Sequence, residues 1–390
     1  MAPPRILFVD HAGVLGGAEL YLLDIARQYG EEAPVLLFSD GPFRERLETA
    51  GIRVHVVPAP NAFLSVEKKS GLGPLLRALP GFTSLVRNVA RHARSHDLVF
   101  ANSQKALMAA APAAWWTGRP FIWSLHDILT ADHFSTLNRR LAAGVANAFA
   151  HRVLVNSKAT RRAFAESGGD ASRCRVVYNG LDPDRFASPD ADRLRDLRRD
   201  LEVGENPLVG VFGRLTPWKG QHVLVDALSE LPGVHALLVG ASLFENDTAY
   251  ADVLRQRARQ RGVADRTHFL GFRDDVPQLM HLVDVVVHTS TAPEPFGRVL
   301  VEGMLAGTPI IGTRAGGPTE IIDDPETGLL VPPGDSGALA SAIRNVLSNP
   351  ERARSMAENA QMHAQDRFSI EQMRRQVHRI TSRLSRPTRN

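Results

Sequence analysis

Cysteine is nearly missing from this chain: Cys174 is the only one in 390 residues. A single thiol forms no internal disulfide and no multi-cysteine zinc site, so a reducing compartment is the expected setting. Long hydrophobic runs are missing too. The stretch Ala106–Trp116 falls well short of the roughly 20 apolar residues that span a bilayer. Ile6–Val9 is too short for a signal-peptide core, and the expected localisation is cytoplasmic. Aromatics are only 6% of the residues, which predicts a core of Leu, Val and Ala. Neither charge sign dominates: 46 Lys+Arg against 42 Asp+Glu leave +4, too mild to indicate a nucleic-acid partner. No His-x3-His or cysteine pair marks a metal site, and none is expected. With 44% hydrophobic and 23% charged residues the chain is ordinary globular protein of two or three domains.

What the chain does have is a series of short apolar runs that end in polar or glycine-rich segments. Ile6–Val9 comes first, followed by Gly13-Val14-Leu15-Gly16-Gly17 and by Ala18–Tyr29 with apolar residues at helical spacing. Strand, glycine turn and helix open a doubly wound α/β domain. Val35–Phe38, Val54–Val57, Leu98–Phe100, Phe121–Leu125, Val153–Val155 and Val176–Tyr178 predict further parallel strands. The last four run into Asn102-Ser103, His126-Asp127, Asn156-Ser157 and Asn179-Gly180. Beyond a charged segment, Leu208–Phe212, Ala236–Val239, His268–Leu270, Val283–His288, Pro309–Ile311 and Gly328–Val331 predict a second series. The expected fold is α/β, with two doubly wound Rossmann-like domains facing a central cleft. Residues 1–187 and 207–370 would form the domains and 188–206 a solvated helix or linker. Residues 371–390 would form a helix and tail packing back on the first domain.

Ligands bind such sheets outside the carboxyl ends of the strands. There, Gly213–Gly220 carries Arg214 and Lys219 in a glycine-bounded loop. A guanidinium grips phosphate oxygens in bidentate fashion and an ammonium adds a point charge, so the pair suits a diphosphate; a solvated basic loop is the alternative. Pro293 and Pro295 hold Glu294 extended, with a helix expected from Phe296 or Gly297 whose first N–H groups are free for an anion or sugar hydroxyls. Glu302 lies inside that helix. A retaining glycosidase pair needs carboxyls roughly 5–5.5 Å apart. Eight helical steps span roughly 12 Å, so Glu294 and Glu302 have separate roles. His126, one of 14 histidines, stands out by its strand-end position; a structural histidine is the alternative. Gly13-x-x-Gly16-Gly17 departs from the G-x-G-x-x-G spacing and reads as a turn that lets backbone approach a ligand.

Taken in order, these residues resemble the retaining family-4 glycosyltransferases of the GT-B fold, over nearly the whole chain. The resemblance is carried by Gly16-Gly17-Ala18-Glu19, His126, Asn156-Ser157, Tyr178-Asn179-Gly180-Leu181-Asp182 and Gly213-Arg214-Leu215 through Lys219-Gly220. Leu270-Gly271-Phe272, Glu294-x7-Glu302, Gly316-Gly317-x-x-Glu320 and Gly328-Leu329-Leu330-Val331 complete it. It implies an N-terminal acceptor domain and a C-terminal nucleotide-sugar domain. Arg214 and Lys219 would bind the donor diphosphate, Glu302 the ribose, and Glu294 with the backbone of Phe296 and Gly297 the donor sugar. Gly16 and Gly17 would meet the diphosphate or acceptor, and His126 would lie near the anomeric carbon. The base would rest near Gly240 and the Phe272-Arg273 turn. The implied reaction transfers a hexosyl unit with retention, from a UDP-sugar ahead of GDP-mannose, to a hydroxyl of a glycan, lipid-linked or small-molecule acceptor. The resemblance implies no cofactor and no metal; Asp182-Pro183-Asp184 and Asp190-Ala191-Asp192 read as structural. The alternatives are a nucleotide-sugar epimerase, a sugar phosphorylase or a non-catalytic binding subunit.

Residues 61–96 set Lys68, Lys69, Arg77, Arg87, Arg91 and Arg94 against one acid, Glu67, with Leu72, Leu75, Leu76, Leu79, Phe82, Leu85, Val86 and Val89 interleaved. Two readings fit: a surface helix with one buried face, or a basic amphipathic segment in peripheral contact with an anionic membrane.

Overall fold

The structure, a computed structural model, describes residues 4–65, 79–187, 189–242 and 249–385. The chain divides into two compact units, Met1–Gly180 with Ile370–Asn390, and Leu181–Ser369.

The first unit is a seven-stranded parallel sheet in the order β3-β2-β1-β4-β5-β6-β7. Its strands are β1 (Ile6–Asp10), β2 (Val35–Leu37), β3 (Val54–Val56), β4 (Leu98–Ala101), β5 (Phe121–Leu125), β6 (Arg152–Val155) and β7 (Cys174–Val176). The apolar runs are continuous because both faces of the sheet are covered. Leu7 and Val9 point into one layer with Val89, Ala110 and Ala146, whereas Ile6 and Phe8 point into the other with Leu22, Phe43 and Met373.

The second unit is a six-stranded parallel sheet in the order β10-β9-β8-β11-β12-β13. It is formed by β8 (Leu208–Phe212), β9 (His235–Val239), β10 (Thr267–Gly271), β11 (Val285–Val287), β12 (Ile310–Thr313) and β13 (Leu329–Val331). In each sheet the order in which strands are added reverses once, between β1 and β4 and between β8 and β11. Those two points are where open α/β sheets place their ligands.

Two boundaries differ from expectation, and the C-terminal helix follows it. The first unit ends at Gly180 rather than at 187. The segment 188–206 is no free linker: its helix, Ala191–Asp200, belongs to the second unit and packs on the Val276–Leu282 helix. Leu197 is buried there, Asp190 N–H donates to Gln278 Oε1 at 3.0 Å, and Arg193 meets Asp275 at 3.3 Å. The C-terminal helix, Ile370–Leu384, is part of the first unit. Met373 and Val377 enter its core, and Thr381 Oγ1 lies 2.9 Å from Tyr29 Oη.

In segment 61–96, the Leu79–Ala93 helix turns Leu85, Val89, Phe82 and Val86 into the core and leaves Arg87, Arg91 and Arg94 exposed. Its apolar face is therefore covered by protein. Glu67, Lys68, Lys69, Leu72, Leu75, Leu76 and Arg77 lie outside the described residues. Among the described residues no helix is long and apolar enough to cross a membrane. Likewise, no group of three or more His, Cys, Asp or Glu side chains is placed to hold a metal ion.

Candidate active site

In the second unit, β8 ends at Phe212 and the chain turns through Gly213 and Arg214 into a short 3-10 turn, Pro217–Lys219. Backbone and side chains brace this loop. Gln221 Nε2 donates to the Arg214 carbonyl at 2.9 Å, and Thr289 Oγ1 to the Lys219 carbonyl at 2.9 Å. Lys219 Nζ rests 4.6 Å from the centre of the Trp218 ring and reaches Glu294 Oε2 at 2.7 Å.

Glu294 follows β11 and is almost wholly enclosed. Ser290 Oγ donates to its Oε2 at 3.0 Å, and His288 Nε2 lies 3.4 Å from the same oxygen. His288 is itself buried, with Thr313 Oγ1 3.1 Å from Nδ1. Burial opposes ionisation of Glu294, but Lys219 and His288 more than offset it, and the carboxyl is held well below the usual carboxylate range. The ion pair therefore stands at neutral pH.

The backbone around Glu294 is clamped by glycines. Glu294 forms a parallel bridge with Gly316, and Gly317 N–H donates to the Glu294 carbonyl at 2.8 Å. A Cβ on Gly316 would sit 2.2 Å from the Glu294 carbonyl oxygen, and one on Gly317 2.3 Å from that of Phe296. Only glycine permits this approach. The helix then begins at Arg298, one residue later than expected, with Gly297 as its N-cap. One turn on, Glu302 Oε1 accepts from Arg298 Nε at 3.0 Å.

At the base end of the expected donor site, Gly240 N–H donates to the Gly271 carbonyl at 2.8 Å. Phe272 is 65% exposed and presents an open ring. The Arg273 guanidinium is committed elsewhere: it grips Asp275 through Nε–Oδ1 at 2.7 Å and Nη2–Oδ2 at 2.5 Å.

In the first unit, His126 follows β5 and meets the ends of β1 and β4. Its Nε2 lies 2.9 Å from Asn102 Oδ1 and 3.0 Å from Ser124 Oγ, and its ring packs edge-on against Tyr21 at 4.6 Å. Burial lowers its pKa to about 4, so the ring is neutral at pH 7. Asn102 Nδ2 donates to Asp10 Oδ2 at 2.6 Å. Gly17 opens the first helix and Gly16 is its N-cap. The Glu19 carboxyl lies beside Gly16, where an added Cβ would sit 2.8 Å from Glu19 Oε2. Burial, with Asp10 nearby, pushes the Glu19 carboxyl up to about 8.

Sequence reasoning singled out Arg214, Lys219, Glu294, Glu302 and His126. It did not single out Asp10, Tyr21, Ser124, His288, Ser290 or Thr313. Each of these sits on a strand, at its polar end or on the helix that follows, and that position was the available signal.

A glycosyl transferase group 1 family model matches residues 193–363, and a glycosyl transferase 4-like domain model matches residues 16–180. The chain is also 42% identical to HepE (Alr3699) of Anabaena, over 97% of this chain and 100% of that one, with a TM-score of 0.87. It belongs to the family-4 glycosyltransferases of the GT-B fold. HepE has been solved with UDP, with UDP-glucose, and with UDP and glucose. Two further relatives match over about half the chain. The lipopolysaccharide core biosynthesis glycosyltransferase LpsE of Rhizobium meliloti is 35% identical over 197 residues, 50% of this chain and 54% of that protein. The GDP-mannose-dependent alpha-(1-6)-phosphatidylinositol monomannoside mannosyltransferase of Mycobacterium tuberculosis is 34% identical over 209 residues, 51% and 53% respectively. The chain spans about half the length of these two relatives.

Proposed function

We propose that this protein moves a hexosyl unit from a UDP-sugar to a hydroxyl of a glycan, lipid-linked or small-molecule acceptor, with retention at the anomeric carbon. The observation that carries the reading is the enclosed Lys219–Glu294 pair, joined at 2.7 Å in the loops beyond β8 and β11, with Arg214 in the same loop as Lys219. Preorganised charge aimed at a leaving group is usually the largest catalytic term. The likeness to HepE, with its UDP and UDP-glucose complexes, puts a UDP-sugar ahead of GDP-mannose.

In this reading Arg214 and Lys219 bind the donor diphosphate and stabilise the negative charge as the bond from the anomeric carbon to the diphosphate oxygen breaks. The acceptor hydroxyl attacks on the face the diphosphate leaves. Its oxygen forms the new bond to the anomeric carbon, and its proton passes to a diphosphate oxygen. Glu294, locked in one ionised orientation, and the backbone of Phe296 and Gly297 hold the sugar hydroxyls. Glu302, steadied by Arg298, takes the ribose. Gly240 backbone and the open Phe272 ring serve the base, with Arg273 held back by Asp275. The backbone of Gly16 and Gly17 serves the diphosphate or acceptor, and His126 serves the sugar. Two side-chain cations attend the diphosphate, so we assign no metal and no cofactor to the step. Contact with an anionic membrane through 61–96 would draw, in its described part, on Arg87, Arg91 and Arg94 alone; cosedimentation with anionic vesicles tests it.

The test is product analysis with UDP-glucose and a panel of hydroxyl acceptors. NMR of the product should show an α-linked glucoside from the α-linked donor. A β-linked product would contradict retention. Turnover that needs no acceptor, or that needs free phosphate, would transfer the protein to the epimerase or phosphorylase class.

A further inference from the structure

No role above falls to Asp10 or Asn102, yet both are fully buried at the point where the seven-stranded sheet reverses. Asn102 Nδ2 donates to Asp10 Oδ2 at 2.6 Å and to the Ala18 carbonyl at 3.0 Å. Burial opposes ionisation of Asp10, but His11 and Asn102 offset it and hold the carboxyl below its ordinary value. Both partners of the amide nitrogen are therefore pure acceptors. Turning the amide round would set its oxygen against a carboxylate and a carbonyl, which a buried site does not tolerate. Oδ1 accordingly faces His126 Nε2, 2.9 Å away. An amide oxygen only accepts, so Nε2 carries the ring proton. Ser124 Oγ, 3.0 Å from the same nitrogen, is then a second acceptor for it. In the neutral ring the lone pair belongs to Nδ1.

We infer that Asp10 and Asn102 are positioning residues that lock His126 in the Nε2–H tautomer, so that it offers Nδ1 as a hydrogen-bond acceptor to a substrate hydroxyl. The substrate half of this inference rests on the assignment of His126 to the transfer reaction; the tautomer half does not.

The test is nitrogen-15 NMR of the full chain labelled at histidine, with the His126 signals assigned by their loss in His126→Gln. In the wild type, Nε2 should show the shift of a protonated ring nitrogen and Nδ1 that of an unprotonated one. Asn102→Ala removes the acceptor. The isosteric Asp10→Asn lets the amide turn round and guards against a folding failure of the first variant. In both, the ring should populate both tautomers, and kcat should fall about tenfold, the value of one well-placed hydrogen bond, with UDP affinity unchanged. A wild-type ring protonated on Nδ1, or a tautomer unmoved in both variants, would overturn the lock. If the tautomer moves while His126→Gln leaves transfer intact, the lock holds and the substrate half is overturned together with the assignment of His126.

Discussion

Where the seven-stranded sheet reverses, the polar groups are a carboxylate, an amide and a neutral imidazole. Where the six-stranded sheet reverses, they are an ammonium, a carboxylate and a buried imidazole. The two units share one architecture, and the side chains at the strand ends differ in sign. The second unit offers fixed positive charge with one tethered carboxylate, which suits a phosphate-bearing ligand. The first is acidic and keeps its histidine uncharged, which suits hydroxyls. Fold gives the place, and the residues at that place decide the ligand.

The largest effect should come from breaking the charged side. Lys219→Ala should lower turnover by roughly 10²–10³-fold, in the range of losing one preorganised donor. It also leaves the Glu294 carboxylate enclosed without its cation, which should cost about 3 kcal/mol in a urea unfolding titration. Adding Glu294→Gln should recover most of that stability and none of the activity. Wild-type turnover in the single variant would remove Lys219 from the reaction.

His126→Ala should lower kcat by about tenfold, the value of one well-placed hydrogen bond, while calorimetry finds UDP affinity intact, because the proposal gives the diphosphate chiefly to Arg214 and Lys219. A parallel loss of UDP affinity would break the comparison. Gly317→Ala should cost about 1–3 kcal/mol, since its Cβ would lie 2.3 Å from the Phe296 carbonyl oxygen. A melting curve and an assay on the same preparation would show both losses.

A smaller effect, within the first unit, is read by pH. His126 titrates near 4 in the folded chain against an ordinary 6.5, so the unfolded chain takes up the proton first. The stability it contributes is whole above pH 6.5 and is lost as the pH falls toward 4. Glu19 behaves oppositely: at about 8 against 4.5, its contribution is whole below pH 4.5 and is lost as the pH rises through 8. Glu19→Gln should therefore gain in melting temperature over the wild type between acidic and mildly alkaline buffer. An unchanged difference would contradict the burial argument for that acid. The smallest effect is none: EDTA should leave transfer unaltered, and a loss restored by a divalent cation would refute metal independence.

The thirteen strands among the described residues were legible because each is an apolar run stopped by polar residues or glycine. β7 shows the limit. The run Val176-Val177-Tyr178 looks like the strand, but pairing with β6 starts at Cys174, opposite Val153. The helix Ala191–Asp200 reads as solvated because only one buried residue, Leu197, and two distant partners, Asp275 and Gln278, fix it to the second unit. At the site, Lys219 and Glu294 were each legible from their loops. Their contact joins residues 75 apart in sequence, and no local pattern encodes it. Asn102 was visible only as a polar residue at a strand end. Its partners come from β1 and the residue after β5, and the sheet order brings them together.

A thermal-shift panel of UDP, GDP, ADP and TDP, run on the wild type and on Lys219→Ala, would decide whether the second unit holds the donor diphosphate. UDP at 100 times its dissociation constant should stabilise the wild type by roughly 2.7 kcal/mol, ahead of the other nucleotides, and the shift should collapse in the variant. A flat panel, or an equal UDP shift in Lys219→Ala, would contradict it.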